Sequence, residues 1–310
     1  MEEIFAVEWF RKSMELWLSE QLIMERTKKG ERSALENFLR YCNGSKPTRQ
    51  LLIDWIMNWK GKDNTLQNYA STMRRFFEWL GNEGMYRNIG HGLRNYSRHQ
   101  YEHTKLPLTE TEVSRLLEHL EFYNQPCGRD KCILLLMLNC ALRCCEVVRA
   151  RIGDIFRYDG RVFLKVQGKG HVYPDAKVLL TDYLARRIEY YIAARPGPKD
   201  DESEIFLTLE EPYKRLTERR LSKICKLHLD AVGLLSPDYS THSFRHTAAT
   251  VALTRGASED QVSRMLRHVD PRTTRLYTKF VDRMKNPAEK YLDFKAPEGV
   301  EEKVIPLRRA

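Results

Sequence analysis

Three stretches of this chain hold side chains whose types and spacing suit one kind of reaction. They are Arg143 in Ala141-Leu142-Arg143-Cys144-Cys145-Glu146, then His242-Ser243-Phe244-Arg245-His246, then His268 with Tyr277 nine residues further on. His242, Arg245, His268, Tyr277 and Arg143 together supply two guanidiniums, two imidazoles and a phenol. The transition state of phosphoryl transfer spreads negative charge over the non-bridging oxygens, and a planar guanidinium fork binds such oxygens bidentately. Two arginines can therefore take the place of metal ions. The chain has no Asp-x-Asp pair or carboxylate cluster suited to two magnesium ions. Gly168-Lys169-Gly170 lacks the remaining residues of a phosphate-binding P-loop. Neither a metal nor a cofactor is expected. A free phenol ionises near pH ~10, so attack at neutral pH needs neighbouring cations and hydrogen-bond donors. Lys169, between two glycines, has reach and mobility, and a lysine whose pKa is lowered by nearby cations can protonate a departing oxygen.

Each of these groups also has a plainer reading by itself. Arg143 ends an apolar helix, where an unpaired charge is costly and an anion is favoured, with Glu146 one helical turn later to orient it. An Arg–Glu pair that merely ties helices together would look the same. His242 and Arg245 stand three apart at a helix start, with Ser240 or Thr241 available as cap. Helix starts attract phosphate, but an isolated His-x-x-Arg is ordinary surface decoration. Tyr277 alone reads as a packed aromatic, and Lys169 alone as a solvated turn lysine. The weight lies in the combination.

The elements that must position these groups are helices and a little sheet. From Thr65 to Leu80 the apolar residues Leu66, Tyr69, Met73, Phe76, Phe77 and Leu80 follow helical spacing, while Arg74 and Arg75 take the opposite, basic side. Stretches 33–41 and 48–59 look similar, separated by the turn-forming Asn43-Gly44-Ser45-Lys46-Pro47 and followed by Gly61-Lys62-Asp63-Asn64. The front of the chain thus reads as a module of four or five helices. From about Gly90 to Pro107 the periodicity lapses into polar and basic residues, which read as a linker. Thr109-Glu110-Thr111-Glu112 then forms a capping box ahead of Val113, Leu116, Leu117 and Leu120, and a second domain begins. Its centre is the apolar run 133–142. Strands are expected at 162–166 and near 177–180, joined through the Gly168-Lys169-Gly170 turn. Helices follow at 182–195, at 217–231 and from His242 onward, and Asp270-Pro271 is a helix entry that places Tyr277 about two turns in.

Composition narrows the class. At 310 residues the chain exceeds the size at which single cores stop growing, so two domains are expected. Lys plus Arg number 52 against 42 Asp plus Glu, a formal charge of +10 that favours a polyanionic partner through counterion release. No basic stretch leads into an apolar segment at the N-terminus, and the longest apolar run is too short to span a bilayer. A cytoplasmic protein with no membrane partner is expected, associated with the nucleoid. Seven scattered cysteines fit a reducing compartment, and no second pair at finger spacing accompanies Cys140, Cys144 and Cys145, so zinc is not expected.

The order Arg143, Lys169, His242-x-x-Arg245, His268 and Tyr277 resembles the tyrosine recombinases, also called the phage integrase family. Residues 141–146 resemble its Gly-Leu-Arg-x-Ser-Glu box, His242 to Thr247 its His-x-Leu-Arg-His-Thr box, and Leu266-Arg267-His268 with Thr273 to Tyr277 its Leu-Gly-His and Thr-Thr-x-x-Tyr segment. The likeness is strong from about 105 to 285 and looser at the front. It implies a mainly α fold with a small β-sheet: a helical, SAM-like core-binding domain over 1–95, a linker over 96–107, an α+β catalytic domain over 108–283, and a tail over 284–310 that either docks on a neighbouring protomer through Val304, Ile305 and Leu307 or is a frayed terminus. It further implies a clamp on double-stranded DNA at a specific core site and a homo-tetramer on two sites, with accessory DNA-bending factors possible.

In that scheme Tyr277 attacks the phosphate and leaves a 3′-phosphotyrosyl link, without metal or ATP. Arg143 and Arg245 bind the phosphate oxygens with His268, Lys169 is the general acid, His242 assists proton transfer and Glu146 supports Arg143. Integration or excision of a mobile element, or Xer-like recombination, is the implied task. Departures are Ala141 for Gly, Cys145 for Ser and Arg267 for Gly, the last bringing a bulky cation that either contacts DNA, as Arg74 and Arg75 are expected to do, or reshapes the site. Two alternatives remain: a non-catalytic, architectural DNA-binding protein on the same fold, and a type IB topoisomerase.

Overall fold

Spatial contacts divide the chain into two units, Met1–Gln100 and Tyr101–Ala310. The computed structural model describes residues 2–93, 105–123, 126–168, 170–268, 270 and 272–292. Most of the expected linker, Lys169 and the far tail with Val304, Ile305 and Leu307 lie outside the described residues.

The first unit is four helices: α1 (Glu2–Glu20), α2 (Glu25–Cys42), α3 (Arg49–Met57) and α4 (Asp63–Asn82). The helical spacing read in α4 has its physical counterpart: Leu66, Met73, Phe76, Phe77 and Leu80 are all buried. Met73, Phe76, Phe77 and Leu80 meet Phe10, Trp17, Phe38 and Trp55 in an aromatic core, where Phe10 and Phe76 pack edge to face at 5.3 Å. Asn43 ends α2 in the left-handed conformation at φ 47°, the role its turn chemistry suits. Thr48 caps α3 by accepting from the Leu51 amide at 3.1 Å. On the far side of α4, Arg75 is exposed and lies 2.7 Å from the buried Glu31 carboxylate, whereas Arg74 is half-buried.

The second unit begins with α5 (Glu110–Phe122), whose Thr109 hydroxyl accepts from the Glu112 amide while the Glu112 carboxylate accepts from the Thr109 amide at 2.7 Å. Next, α6 (Arg129–Cys140) is buried along nearly its whole length, its apolar centre Cys132 to Met137 and also its charged first turn, where Asp130 pairs with Arg129. It forms the centre, packed by α8 (Asp182–Ala194), α10 (Thr241–Thr254) and the sheet. The remaining helices are α7 (Cys144–Arg149), α9 (Glu218–Ala231), α11 (Glu259–Leu266) and α12 (Arg272–Lys285).

The sheet is antiparallel in the order β1 (Ile155–Tyr158), β2 (Arg161–Val166), β3 (Ala176–Leu180). Val162, Leu164 and Val166 alternate inward, and Val162 pairs with Leu180 and Leu164 with Val178, so register and burial agree.

Three expectations need correction. The sheet has a further strand, β1, which a two-residue turn at Asp159-Gly160 joins to β2, both residues at positive φ. The β2–β3 connection is the whole stretch 167–175 and not a tight Gly-Lys-Gly turn, with the Gly168 amide donating to Asp175 at 2.6 Å. Finally, Arg143 does not end an apolar helix. The helix stops at Cys140, Ala141 turns left-handed at φ 51°, and Arg143 stands at the N-cap of α7.

Among the described residues, no helix is long and apolar enough to cross a membrane. No group of three or more His, Cys, Asp or Glu among them is placed to hold a metal ion. All seven cysteines are free, and burial pushes the Cys140 thiol up to about 12, which makes it a packing group at ordinary pH.

Candidate active site

The site lies where α6, α7, α10, α11 and α12 converge. Small residues make the approach possible: Ala141, Ala248 and Ala249 pack with Val262, Leu266 and Tyr277 in a cluster separate from the main core of the unit. The left-handed turn at Ala141 aims its carbonyl at this point, where it accepts from Arg245 at 2.6 Å and from Arg267 at 3.1 Å.

Arg143 is held by Glu146, whose side chain is fully buried. The carboxylate accepts from the Arg143 amide at 2.7 Å through one oxygen and from the Arg143 guanidinium at 2.8 Å through the other. The Arg143 side chain keeps about a quarter of its surface exposed (26%), so donors remain for an incoming anion. Arg245 sits one turn into α10, 4% exposed, with its guanidinium donating to the carbonyls of Ala141 and Leu266. Burial, then the nearby charges of Arg143 and Arg267, lower its pKa to about 9, with Glu146 and Tyr277 opposing. Two of its neighbours are cations, so a bound phosphate would relieve the site.

Arg267 occupies a position that favours glycine. It ends α11 at φ 54°, and its guanidinium turns inward to the Glu146 carboxylate at 2.7 Å and to the carbonyls of Met265, Ala141 and Cys140. Its side chain is 11% exposed and faces Glu146 and not the surface. Both glycine replacements noted in the sequence, Ala141 and Arg267, thus fall on left-handed residues.

His268 follows directly. Its Nδ1 lies 2.9 Å from the hydroxyl of the buried Thr274, which sets the ring, and it stacks on Tyr277 with centroids 6.3 Å apart and planes 17° from parallel. Tyr277 is 3% exposed, and its hydroxyl lies 2.6 Å from His246 Nδ1. Burial pushes the phenol up to about 12, while Arg245 and Arg143 pull against it. His242 is exposed in the first turn of α10, capped by Ser240, whose hydroxyl accepts from the His242 amide at 3.2 Å. Its ring centroid lies 6.4 Å from that of His246.

The structure therefore brings Arg143, Glu146, Arg245, His268 and Tyr277 together, with Arg267 added. His242 borders the group on α10. Lys169 lies outside the described residues, although its neighbour Gly168 is tied by Asp175 and by Arg149, which donates to the Gly168 carbonyl at 3.2 Å. Arg74 and Arg75 belong to the other unit. His246 is the residue whose part the sequence did not single out; it stood inside a motif, but nothing local pairs it with a tyrosine 31 positions away.

A family model described as the phage integrase family matches residues 107–283. Tyrosine recombinase XerD of Oceanobacillus iheyensis is 31% identical over 233 residues, which cover 72% of this chain and 74% of the relative. Tyrosine recombinase XerC of Caldanaerobacter subterraneus is 33% identical over 153 residues, 48% of this chain and only 41% of that protein. Among solved structures, a post-cleavage complex of XerH site-specific recombinase with palindromic difH substrate superposes at TM-score 0.71 and 18% identity, covering 86% of this chain and 80% of that one. A lambda integrase dimer bound to a core site superposes at 0.67 and 14% identity, covering 86% and 96%. At these identities the structural likeness is one of fold.

Proposed function

This chain belongs to the phage integrase family, and we propose that it is a site-specific DNA recombinase in which Tyr277 attacks a scissile phosphate, leaving a 3′-phosphotyrosyl link and a free 5′-hydroxyl. The observation that carries this reading is the setting of the Tyr277 hydroxyl: in one unit, stacked on His268 and close enough to Arg245 and Arg143 for both charges to act on it. Arg143 and Arg245 take the non-bridging oxygens, where charge develops in the transition state. His268 adds a donor to them, Lys169 protonates the departing 5′-oxygen, and His242 assists proton transfer. Glu146 orients Arg143. The phosphotyrosyl bond retains the ester's free energy, so rejoining needs no ATP.

Double-stranded DNA with a specific core site is the partner this reading requires. The formal charge of +10 fits such a partner, and the XerH and lambda integrase structures are described as DNA complexes. The front unit would serve as the core-binding domain, with Arg74 and Arg75 on its basic side. Four protomers would assemble on two sites, the tail beyond residue 284 docking on a neighbour, with DNA-bending factors assisting. Integration or excision of a mobile element, or related recombination, is the task in view.

The test is incubation with nicked candidate end sequences from the chain's own genomic neighbourhood, followed by denaturing electrophoresis. A denaturation-resistant protein–DNA band is expected from the wild type and not from Tyr277→Phe, which should keep its DNA affinity because only a hydroxyl is lost. Binding without any covalent band would instead support the architectural alternative, and site-independent relaxation of supercoils the topoisomerase. A persistent adduct in Tyr277→Phe would exclude Tyr277 as nucleophile.

A further inference from the structure

We propose that His246 is the general base of the strand-cleavage step, taking the proton of Tyr277 directly onto Nδ1; this rests on the preceding reading of Tyr277 as nucleophile. The two atoms are 2.6 Å apart, with ring centroids at 5.3 Å, which is contact distance for proton transfer without an intervening water. A phenol is a weak nucleophile until it loses its proton, and this one is 3% exposed, so bulk solvent has little access to it. Burial also favours the protonated phenol, while the guanidiniums of Arg245 and Arg143 favour the phenolate without holding an acceptor for the proton. An arginine has donors only. The imidazole at Nδ1 provides what the cations lack.

Position in the fold fits the role. His246 follows Arg245 on α10, so the base and the phosphate-binding guanidinium are fixed by consecutive residues of one rigid helix. His246 also lines a cavity of about 370 Å³ with Lys105, Thr250, Lys279 and Arg283. Charged and titratable groups facing it are therefore Tyr277, Lys279 and Arg283 from α12, Lys105 from the segment before α5, and His242 from its own helix.

The step balances as follows. The Tyr277 Oη–H bond breaks and its proton goes to His246 Nδ1 as the Oη–P bond forms. The P–O5′ bond breaks, its electron pair stays on the 5′-oxygen, and that oxygen takes a proton from the general acid assigned to Lys169. In rejoining, the 5′-hydroxyl returns its proton to that lysine as it attacks, and the departing phenolate recovers its proton from His246. No net proton is gained or lost over the cycle, and no oxidant or co-reactant is involved.

The experiment measures the rate of covalent adduct formation by the full chain on a nicked site that the wild type cleaves, with DNA affinity recorded alongside. His246→Ala should form adduct at least about a hundredfold more slowly, the usual reach of general base catalysis. His246→Asn leaves an amide oxygen near the Nδ1 position that accepts a hydrogen bond without taking up a proton, and should be equally slow. Replacing Tyr277 in the His246→Ala background by a fluorinated tyrosine, a more acidic phenol, should recover part of the lost rate, because a nucleophile that gives up its proton more readily depends less on a base.

Three results overturn the inference: His246→Ala within about threefold of wild type, His246→Asn restoring the full rate, which would make the residue only an orienting contact, or a fluorinated tyrosine that fails to rescue. These are separable from failure of the functional reading, which would appear as no adduct from the wild type or a persistent one from Tyr277→Phe.

Discussion

Replacing Arg267 by glycine sets two effects against each other, and their sizes decide the sign. The substitution relieves a left-handed residue at φ 54°, which costs a side chain about 1 kcal/mol. Against this, the Glu146 carboxylate, fully buried, loses its 2.7 Å partner, a charge-assisted bond contributing about 1.5–3 kcal/mol. The carbonyls of Met265 and Ala141 lose donors at 2.7 and 3.1 Å, together about 1–2 kcal/mol before any water enters the vacated space. Glu146 keeps both bonds to Arg143 and Ala141 keeps Arg245, so neither is stranded. The net is a destabilisation of about 2 kcal/mol, or about 4–8 °C in melting temperature for a unit of this size. Arg267→Ala loses the same bonds but keeps the strain, so it should melt about 2–4 °C below Arg267→Gly. Thermal unfolding followed by circular dichroism measures both. A glycine variant as stable as the wild type would mean that strain outweighs the buried pair, and an alanine variant at or above the glycine one would refute the conformational argument.

Other outcomes follow from the same geometry. Ala141→Gly removes the strain at φ 51° but also a fully buried methyl, and the two nearly cancel, so the melting temperature should stay within about 2 °C of wild type, a larger rise showing that strain dominates. Arg143→Ala or Arg245→Ala should slow adduct formation at least about a hundredfold, by analogy with removing one oxyanion donor, and a change under about threefold would make the arginines structural. Tyr277 is held protonated up to about 12 against an ordinary 10.0, so its contribution to stability is whole below pH 10.0 and is lost as pH rises toward 12. The stability difference between wild type and Tyr277→Phe should shrink over that window in alkaline denaturation series, and a constant difference would refute the shift.

What the sequence made legible was whatever depends on near neighbours. The capping box at Thr109 and Glu112, the cap at Ser240 and the buried stripe of α4 are set by residues three or four apart, and such spacing is visible in the chain. Arg143 with Glu146 is the same kind of signal. Strand β1 was not legible because it has four residues, two half-buried and two exposed, which leaves no alternation to read. The stop of α6 was hidden because the apolar run continues through the turn: Ala141 and Leu142 are as buried as the helix before them. Contacts that close the site are remoter still. Arg267 meets Glu146 across 121 positions and His246 meets Tyr277 across 31, and neither partner has a local reason to announce the other.

The two left-handed residues explain each other. Glycine at such a position minimises strain, and this chain accepts strain at both Ala141 and Arg267 within one small region. The inward guanidinium of Arg267 donates to the carbonyl of Ala141, which also receives Arg245, so the second strained residue braces the first. The same guanidinium takes one oxygen of Glu146, which leaves the carboxylate shared between two cations and a smaller part of its charge to offset Arg143. Three guanidiniums then share one neighbouring carboxylate, and the charges of Arg143 and Arg267 add to the burial that first lowers the Arg245 pKa, to about 9 in all. An anion placed among Arg143, Arg245 and His268, as the proposed function requires, would offset such an excess of positive charge. The departure from glycine would therefore favour phosphate binding under the proposed function, while the hydrogen bonds of Arg267 more than offset its backbone strain in the unliganded fold.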